Sequence, residues 1–105
     1  MPYQIDIQAD AWDDLRAFRK GEQVKILKAI EDYLTYEPTK ESKSRIKQLR
    51  EDTRPDYRLR VDDFRVYYDV WLDSQKVVVY GIVHKDQSQA WLAAFMQRSS
   101  EEEEL

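Results

Sequence analysis

Two short segments that alternate in phase, Tyr57-Arg58-Leu59-Arg60-Val61 and the eight residues Phe64–Trp71, flank the dipeptide Asp62-Asp63. Strict alternation of apolar and polar residues is the pattern of a strand with one buried face, and a two-residue polar link between two such runs makes a hairpin. Tyr57, Leu59 and Val61 share one face, with Arg58 and Arg60 on the other. In the second run Phe64, Val66, Tyr68 and Val70 oppose Arg65, Tyr67, Asp69 and Trp71. A lone hairpin is not stable in water, so its apolar face must be covered by a second layer. A chain of 105 residues has room for one such two-layer domain and excludes a two-domain enzyme.

The rest of the chain supplies that layer. Tyr3, Ile5 and Ile7 alternate with polar neighbours, which predicts a first strand. A helix is expected next, N-capped by Asp10, with Asp13 and Asp14 in its first turn, Trp12, Leu15 and Phe18 on one face, and Gly21 ending it. A second helix is expected from Glu22 to Tyr36, with Ile26, Leu27, Ile30, Tyr33 and Leu34 on a stripe, stopped by Glu37-Pro38. Arg45–Arg50 reads as a short strand or extended arm, Glu51–Asp56 as a turn, and Leu72–Gln75 as a hairpin turn. Lys76–Val83 is continuously apolar enough for a central strand covered on both sides, and Gly81 within it marks a bulge or a close approach to the backbone. A last helix is expected over Asp86–Gln97, with Trp91, Leu92, Phe95 and Met96 apolar. The expected class is therefore α+β: an N-terminal strand, a helical hairpin, an antiparallel sheet of about four strands and a C-terminal helix. Residues 1–98 should form a single domain. Residues 99–105 should be an acidic tail that frays, because Glu101–Glu104 repel one another.

The net charge of −4 conceals a basic island, since residues 40–65 carry nine basic and six acidic groups while residues 1–39 carry five and eight. Clustering of this kind matters more than total charge for attracting phosphate, although an exposed, ion-paired surface is the simpler reading of the residues alone. Without cysteine there is no disulfide framework or thiolate chemistry, and one histidine cannot build the usual zinc sites. The two glycines stand sixty residues apart, so no phosphate-cradling loop is present, and no serine sits in a strained elbow. Asp62-Asp63 reads as a turn rather than as a metal site or an acid/base pair. No cofactor and no metal are expected. No long apolar run or signal-peptide pattern is found, so the expectation is a cytoplasmic protein without membrane association.

What remains is a cationic face. Arg58 and Arg60 project together, and Arg65 can join them across the Asp62-Asp63 turn. Guanidinium groups make bidentate hydrogen bonds to phosphate and do not titrate near neutral pH, so such a set can hold a phosphodiester and stabilise added negative charge in its transition state. Pairing of these arginines with Asp56, Asp62, Asp63 or Asp69 is the alternative. His84, Lys85 and Trp91 follow the central strand and are expected to border the same patch. Imidazole is the natural group for proton transfer near neutrality, Lys85 adds charge, and Trp91 is either a base-stacking platform or a core residue of its helix.

The segments KQLREDTRPDYRLRVDDFRVYYDV and KVVVYGIVHKDQSQAW resemble the RelE/ParE superfamily of type II toxin–antitoxin toxins, most specifically in the YRLRV, two-residue turn, FRVYYDV run. The resemblance extends to the order of elements over nearly the whole chain. It implies a compact toxin neutralised by a cognate antitoxin, the pair binding operator DNA through the antitoxin complex. On the favoured RelE-like branch it implies metal-independent, ribosome-dependent cleavage of mRNA by attack of the ribose 2′-OH on the adjacent phosphate, which inhibits translation. Arg58 and Arg60 then match basic strand residues, one of them the general base, Arg65 matches the phosphate-stabilising arginine, Lys85 matches a general acid, and Trp91 with Arg50 binds RNA. Arginine is a poor base, since its pKa exceeds about 12. We therefore assign the proton acceptor to His84, which the family itself does not do. The ParE-like branch, which poisons DNA gyrase and cleaves nothing, and a catalytically silent antitoxin-binding module are the alternatives.

Overall fold

The computed structural model describes residues 1–50 and 54–104, with only the backbone described at 100–104. The chain runs β1 (Gln4–Ile7), α1 (Ala9–Arg16), α2 (Lys20–Leu34), β2 (Ile46–Gln48), β3 (Tyr57–Val61), β4 (Phe64–Trp71), β5 (Lys76–His84), one turn of 3-10 helix (Lys85–Gln87) and α3 (Ser88–Glu104). The strands form one sheet in the order β1-β5-β4-β3-β2, with β1 parallel to β5 and every other pair antiparallel. The mixed α+β class and the order of elements follow the expectation, with β1 added to the antiparallel strands at the β5 edge.

The helical hairpin covers one face of the sheet. Leu15 of α1 and Ile26, Ile30 and Leu34 of α2 pack on Leu59, Val66, Tyr68, Val77, Val79 and Ile82 in one buried cluster. Each such side chain contributes about 1.5–3 kcal/mol when fully withdrawn from water. Tyr68 is wholly buried, and its hydroxyl donates to the Pro38 carbonyl at 2.7 Å, which ties the segment after α2 to the central strand. A register shift between Tyr67 and Tyr68 inserts one extra residue in β5, so Tyr67 faces Gly81 whereas Tyr68 faces Val79. That bulge keeps Val77, Val79 and Ile82 on the core side despite a nearly continuous apolar run.

Several boundaries differ from the sequence reading. Gln8, not Asp10, is the residue that precedes α1, and Asp10 lies in its first turn. The helix ends at Arg16 rather than at Gly21, which lies in the first turn of α2, where the Glu22 carboxylate accepts from the Arg19 N–H at 3.3 Å. A glycine is tolerated there because the first-turn amides have no intrahelical acceptor in any case. Trp12 is 36% exposed, because α1 turns Ala11 and Leu15, four residues apart, to the sheet. Phe18 lies past the helix end and packs on Phe64 with ring centroids 4.6 Å apart. Helical backbone continues through Glu104, past Ser99 where the acidic tail was expected to fray; glutamate is a strong helix former. Of the expected Glu51–Asp56 turn, residues 51–53 lie outside the described residues, as does Leu105.

Beyond Val79 the outer edge of β5 has no strand partner among the described residues, because β1 ends at Ile7. The Asp14 carboxylate fills part of that gap by accepting the Ile82 N–H at 3.0 Å. Burial raises the Asp14 pKa, the Ile82 hydrogen bond opposes the rise, and Asp10 and Asp13 add to it.

Candidate nucleic-acid interface

The face of the sheet away from the helical hairpin carries the cationic residues. In the β3–β4 ladder Arg60 lies opposite Arg65 and Arg58 opposite Tyr67, while β2 brings Lys47 opposite Arg58. Residues directly opposite in an antiparallel pair point to the same side, so Lys47, Arg58, Arg60 and Arg65 share one surface. The arginines sit close enough to influence one another: the pKa of Arg65 is lowered chiefly by desolvation and then by the charges of Arg58 and Arg60.

The turn that joins β3 to β4 fixes the geometry. Asp62 has a φ of 51°, and its carboxylate accepts a hydrogen bond from Lys25 of α2, which holds the Asp62 carboxyl below the usual carboxylate value. Asp63 pairs instead with Lys85, Nζ to Oδ1 at 3.5 Å, and its carbonyl accepts the Lys85 N–H at 2.7 Å. Arg65 is aimed by carbonyls rather than by an acid, since its Nη1 donates to the Asp62 and Phe64 oxygens, both at 2.9 Å. Among the described residues no carboxylate makes an ion pair with Arg58, Arg60 or Arg65. The alternative of internal neutralisation therefore does not hold for these three side chains. Such a set can take up a dianionic phosphorane or a phosphodiester without first breaking an internal bridge.

His84 does not join them. It lies opposite Phe64 in the β4–β5 ladder and packs edge-on against that ring at 5.8 Å, on the hairpin-covered side of the sheet. Its Nδ1 accepts the Asp86 N–H at 3.2 Å and so caps the 3-10 turn. The expectation that it borders the arginines fails because strand alternation puts Val83, opposite Arg65, on the arginine side and its neighbour on the other. Lys85 stands at the same end of the hairpin, anchored to Asp63. Trp91 lies over the sheet, but its ring stacks with Tyr67 at 4.9 Å and Phe95 at 5.0 Å, both within 12° of parallel. It packs α3 onto β4 and β5, which leaves less of its surface for a base. Arg50 is exposed just beyond β2 and adjoins the residues outside the description.

Sequence reasoning missed Lys47 and Lys43. Both belong to the basic block at 40–65, but only the β2–β3 register reveals that Lys47 stands beside Arg58.

A second feature of this face is a buried acid. Asp69 of β4 is 1% exposed; its Oδ1 accepts the Asp56 N–H at 2.7 Å, and its Oδ2 accepts the Tyr80 hydroxyl at 2.8 Å and lies 3.5 Å from Arg54. This network fastens the start of β3 to the sheet and engages both carboxylate oxygens of Asp69. Hydrogen bonding to Asp69 and burial push the Tyr80 hydroxyl up to about 12, burial being the larger cause.

Three solved structures share this architecture. The RelBE2 toxin–antitoxin complex of Mycobacterium tuberculosis contains a chain with a TM-score of 0.67 and 21% identity, over 80% of this chain and 99% of that one. The archaeal RelE–RelB complex of Pyrococcus horikoshii gives 0.63 and 25%, over 80% and 96%. The fold is that of the RelE toxins. A mutant of the Escherichia coli toxin RelE in the free state gives 0.56 and 16%, over 87% and 92%. No family model and no curated protein matches the sequence. Among the described residues of this RelE fold no helix is long and apolar enough to cross a membrane, and no group of three or more His, Cys, Asp or Glu could hold a metal ion.

Proposed function

We propose that the chain is the toxin of a type II toxin–antitoxin pair, with a cognate antitoxin as its partner, and that it cleaves mRNA on the ribosome without a metal. The RelE fold supports the first part. One observation carries the second: Arg58, Arg60 and Arg65 share a face and none is held by a carboxylate among the described residues. In the reaction the ribose 2′-oxygen forms a bond to the adjacent phosphorus, the bond to the 5′-oxygen breaks, the 2′-hydroxyl loses its proton and the leaving oxygen gains one. Arg65 and Arg60 stabilise the added charge on the phosphorus oxygens, and Lys85, held at Asp63, is the donor to the leaving oxygen. His84 is withdrawn as the base, because its ring packs on the far face. The 2′-proton then passes to solvent or to the ribosome.

Among the described residues no imidazole joins the arginines, which favours one further reading, a catalytically silent module that binds an antitoxin. Induction of the chain in a bacterial host, with mapping of transcript ends, decides between them. Translation arrest with cuts at codons supports the nuclease, and normal growth overturns it in favour of the silent module. An SOS response with gyrase-linked breaks also overturns it and points to ParE-like action.

A further inference from the structure

The arginine face continues around the edge of the sheet into a second cationic site. A groove of about 430 Å³ opens between the 41–45 loop, β2 and β3, and Lys43, Lys47, Arg58 and Arg60 line it. The loop is already shaped by its own bonds: the Ser42 N–H donates to the Ile46 carbonyl at 3.0 Å, and the Arg45 N–H to Ser42 Oγ at 3.1 Å. The one acid in the lining, Glu41, accepts the Gln48 N–H at 2.7 Å. Arg45 is also committed, with Nη1 on the Arg60 carbonyl at 3.3 Å and its guanidinium 5.2 Å from the centre of the Tyr33 ring.

Arg58 is the informative residue. Its Nε is withdrawn from water and has no acceptor among the described residues. Among the described residues no carboxylate pairs with the Arg58 guanidinium, and its planar fork of terminal N–H groups suits a phosphate. Lys47 stands opposite Arg58 on the same face, so the Arg58 charge joins those of Lys43, Lys47 and Arg60 along one groove.

We propose that this groove is a second phosphate subsite, and that the ligand is a single nucleic-acid strand lying across β3. One phosphate sits at Arg65 and Arg60, and another lies among Lys43, Lys47 and Arg58. Strands β2 and β4 each lie about 4.8 Å from β3, which separates the two subsites by about 10 Å and requires more than one phosphate. An acidic protein segment would meet the same charge, but the groove offers only Ile46 as an apolar lining residue, whereas a protein interface is built on a dehydrated apolar centre. The inference rests on the nucleic-acid reading of the arginine face.

The test uses the full chain with fluorescein-labelled, fully 2′-O-methylated oligouridines, which cannot be cut for want of a nucleophile. Anisotropy titrations over a range of salt should give an octamer a steeper dependence than a dimer, by about 0.7 in the log–log slope for each added phosphate contact. Substituting Lys43→Gln and Lys47→Gln together, both at exposed positions, should lower the octamer slope by about 0.7, one phosphate contact, and leave the dimer unchanged. An octamer slope unaltered by the double substitution overturns the subsite, as does binding of an oligoglutamate peptide without binding of the octamer. Transcript cleavage with an unaltered slope removes the subsite alone. A lowered slope with no cleavage in vivo removes the nuclease and leaves the subsite standing.

Discussion

The indole of Trp91 rests on Gly81 so closely that a β-carbon at position 81 would lie 2.2 Å from its Cζ2 and 2.4 Å from its Cε2. The ring cannot easily withdraw, since Tyr67 and Phe95 stack with it. Gly81→Ala should therefore destabilise the chain by about 1–3 kcal/mol in urea unfolding, the usual cost of overpacking. With Trp91→Ala already in place, the same substitution should cost less than about 1 kcal/mol. Equal costs in the two backgrounds would show that the indole is not what excludes a side chain.

Arg65→Gln removes the charge aimed at the phosphate. If the chain is the nuclease proposed, cleavage should fall about 100- to 1,000-fold, the effect of removing one preorganised donor from a developing anion. The melting temperature should move little, because the two lost bonds run to the Asp62 carbonyl, which is exposed, and the Phe64 carbonyl, which is half-buried. A cleavage rate within a factor of two of the parent would remove Arg65 from the mechanism.

Asp69→Ala strips the acceptor from the Asp56 N–H and the Tyr80 hydroxyl at once and leaves Arg54 without its buried partner. A loss of about 3 kcal/mol is expected, in the range for breaking a buried charged network. Asp69→Asn, which keeps an acceptor for the Asp56 N–H, should recover part of it. Calorimetric unfolding of both variants measures the difference.

Asp14 sets a pH dependence of a particular sign. Its pKa in the folded chain is raised above the ordinary 3.8, so the folded state binds the proton more tightly than the unfolded one. Its contribution to stability is thus fully present below 3.8 and declines as pH rises through the folded value. Asp14→Asn, whose side-chain carbonyl can still accept from Ile82, should flatten that decline. Unfolding free energies of parent and variant, compared at pH values on either side of 3.8, should converge at the acid end; a gap that widens there instead contradicts the raised pKa.

The hairpin of β3 and β4 is legible because two alternating runs in phase across a two-residue link leave one way to pair them, and the observed partners Arg60 and Arg65 follow from it. The arginine face was readable for the same reason. The side on which His84 falls was not, since it depends on where the extra residue enters β5, and the run from Val77 to Val83 is too uniformly apolar to reveal a change of phase. Lys47 stayed hidden because three residues of β2 carry too little pattern to announce their partner. Gly21 misled as a helix stop because a glycine near a break is equally at home in the first turn of the next helix.

Finally, the carboxylate that Asp14 lays on the Ile82 amide bears on self-assembly. A stretch of open strand margin is a template on which another copy could add, and growth by such addition is how soluble chains turn into polymers. A negative charge seated on that amide blocks the incoming carbonyl and repels it, so the short first strand does not leave a sticky end.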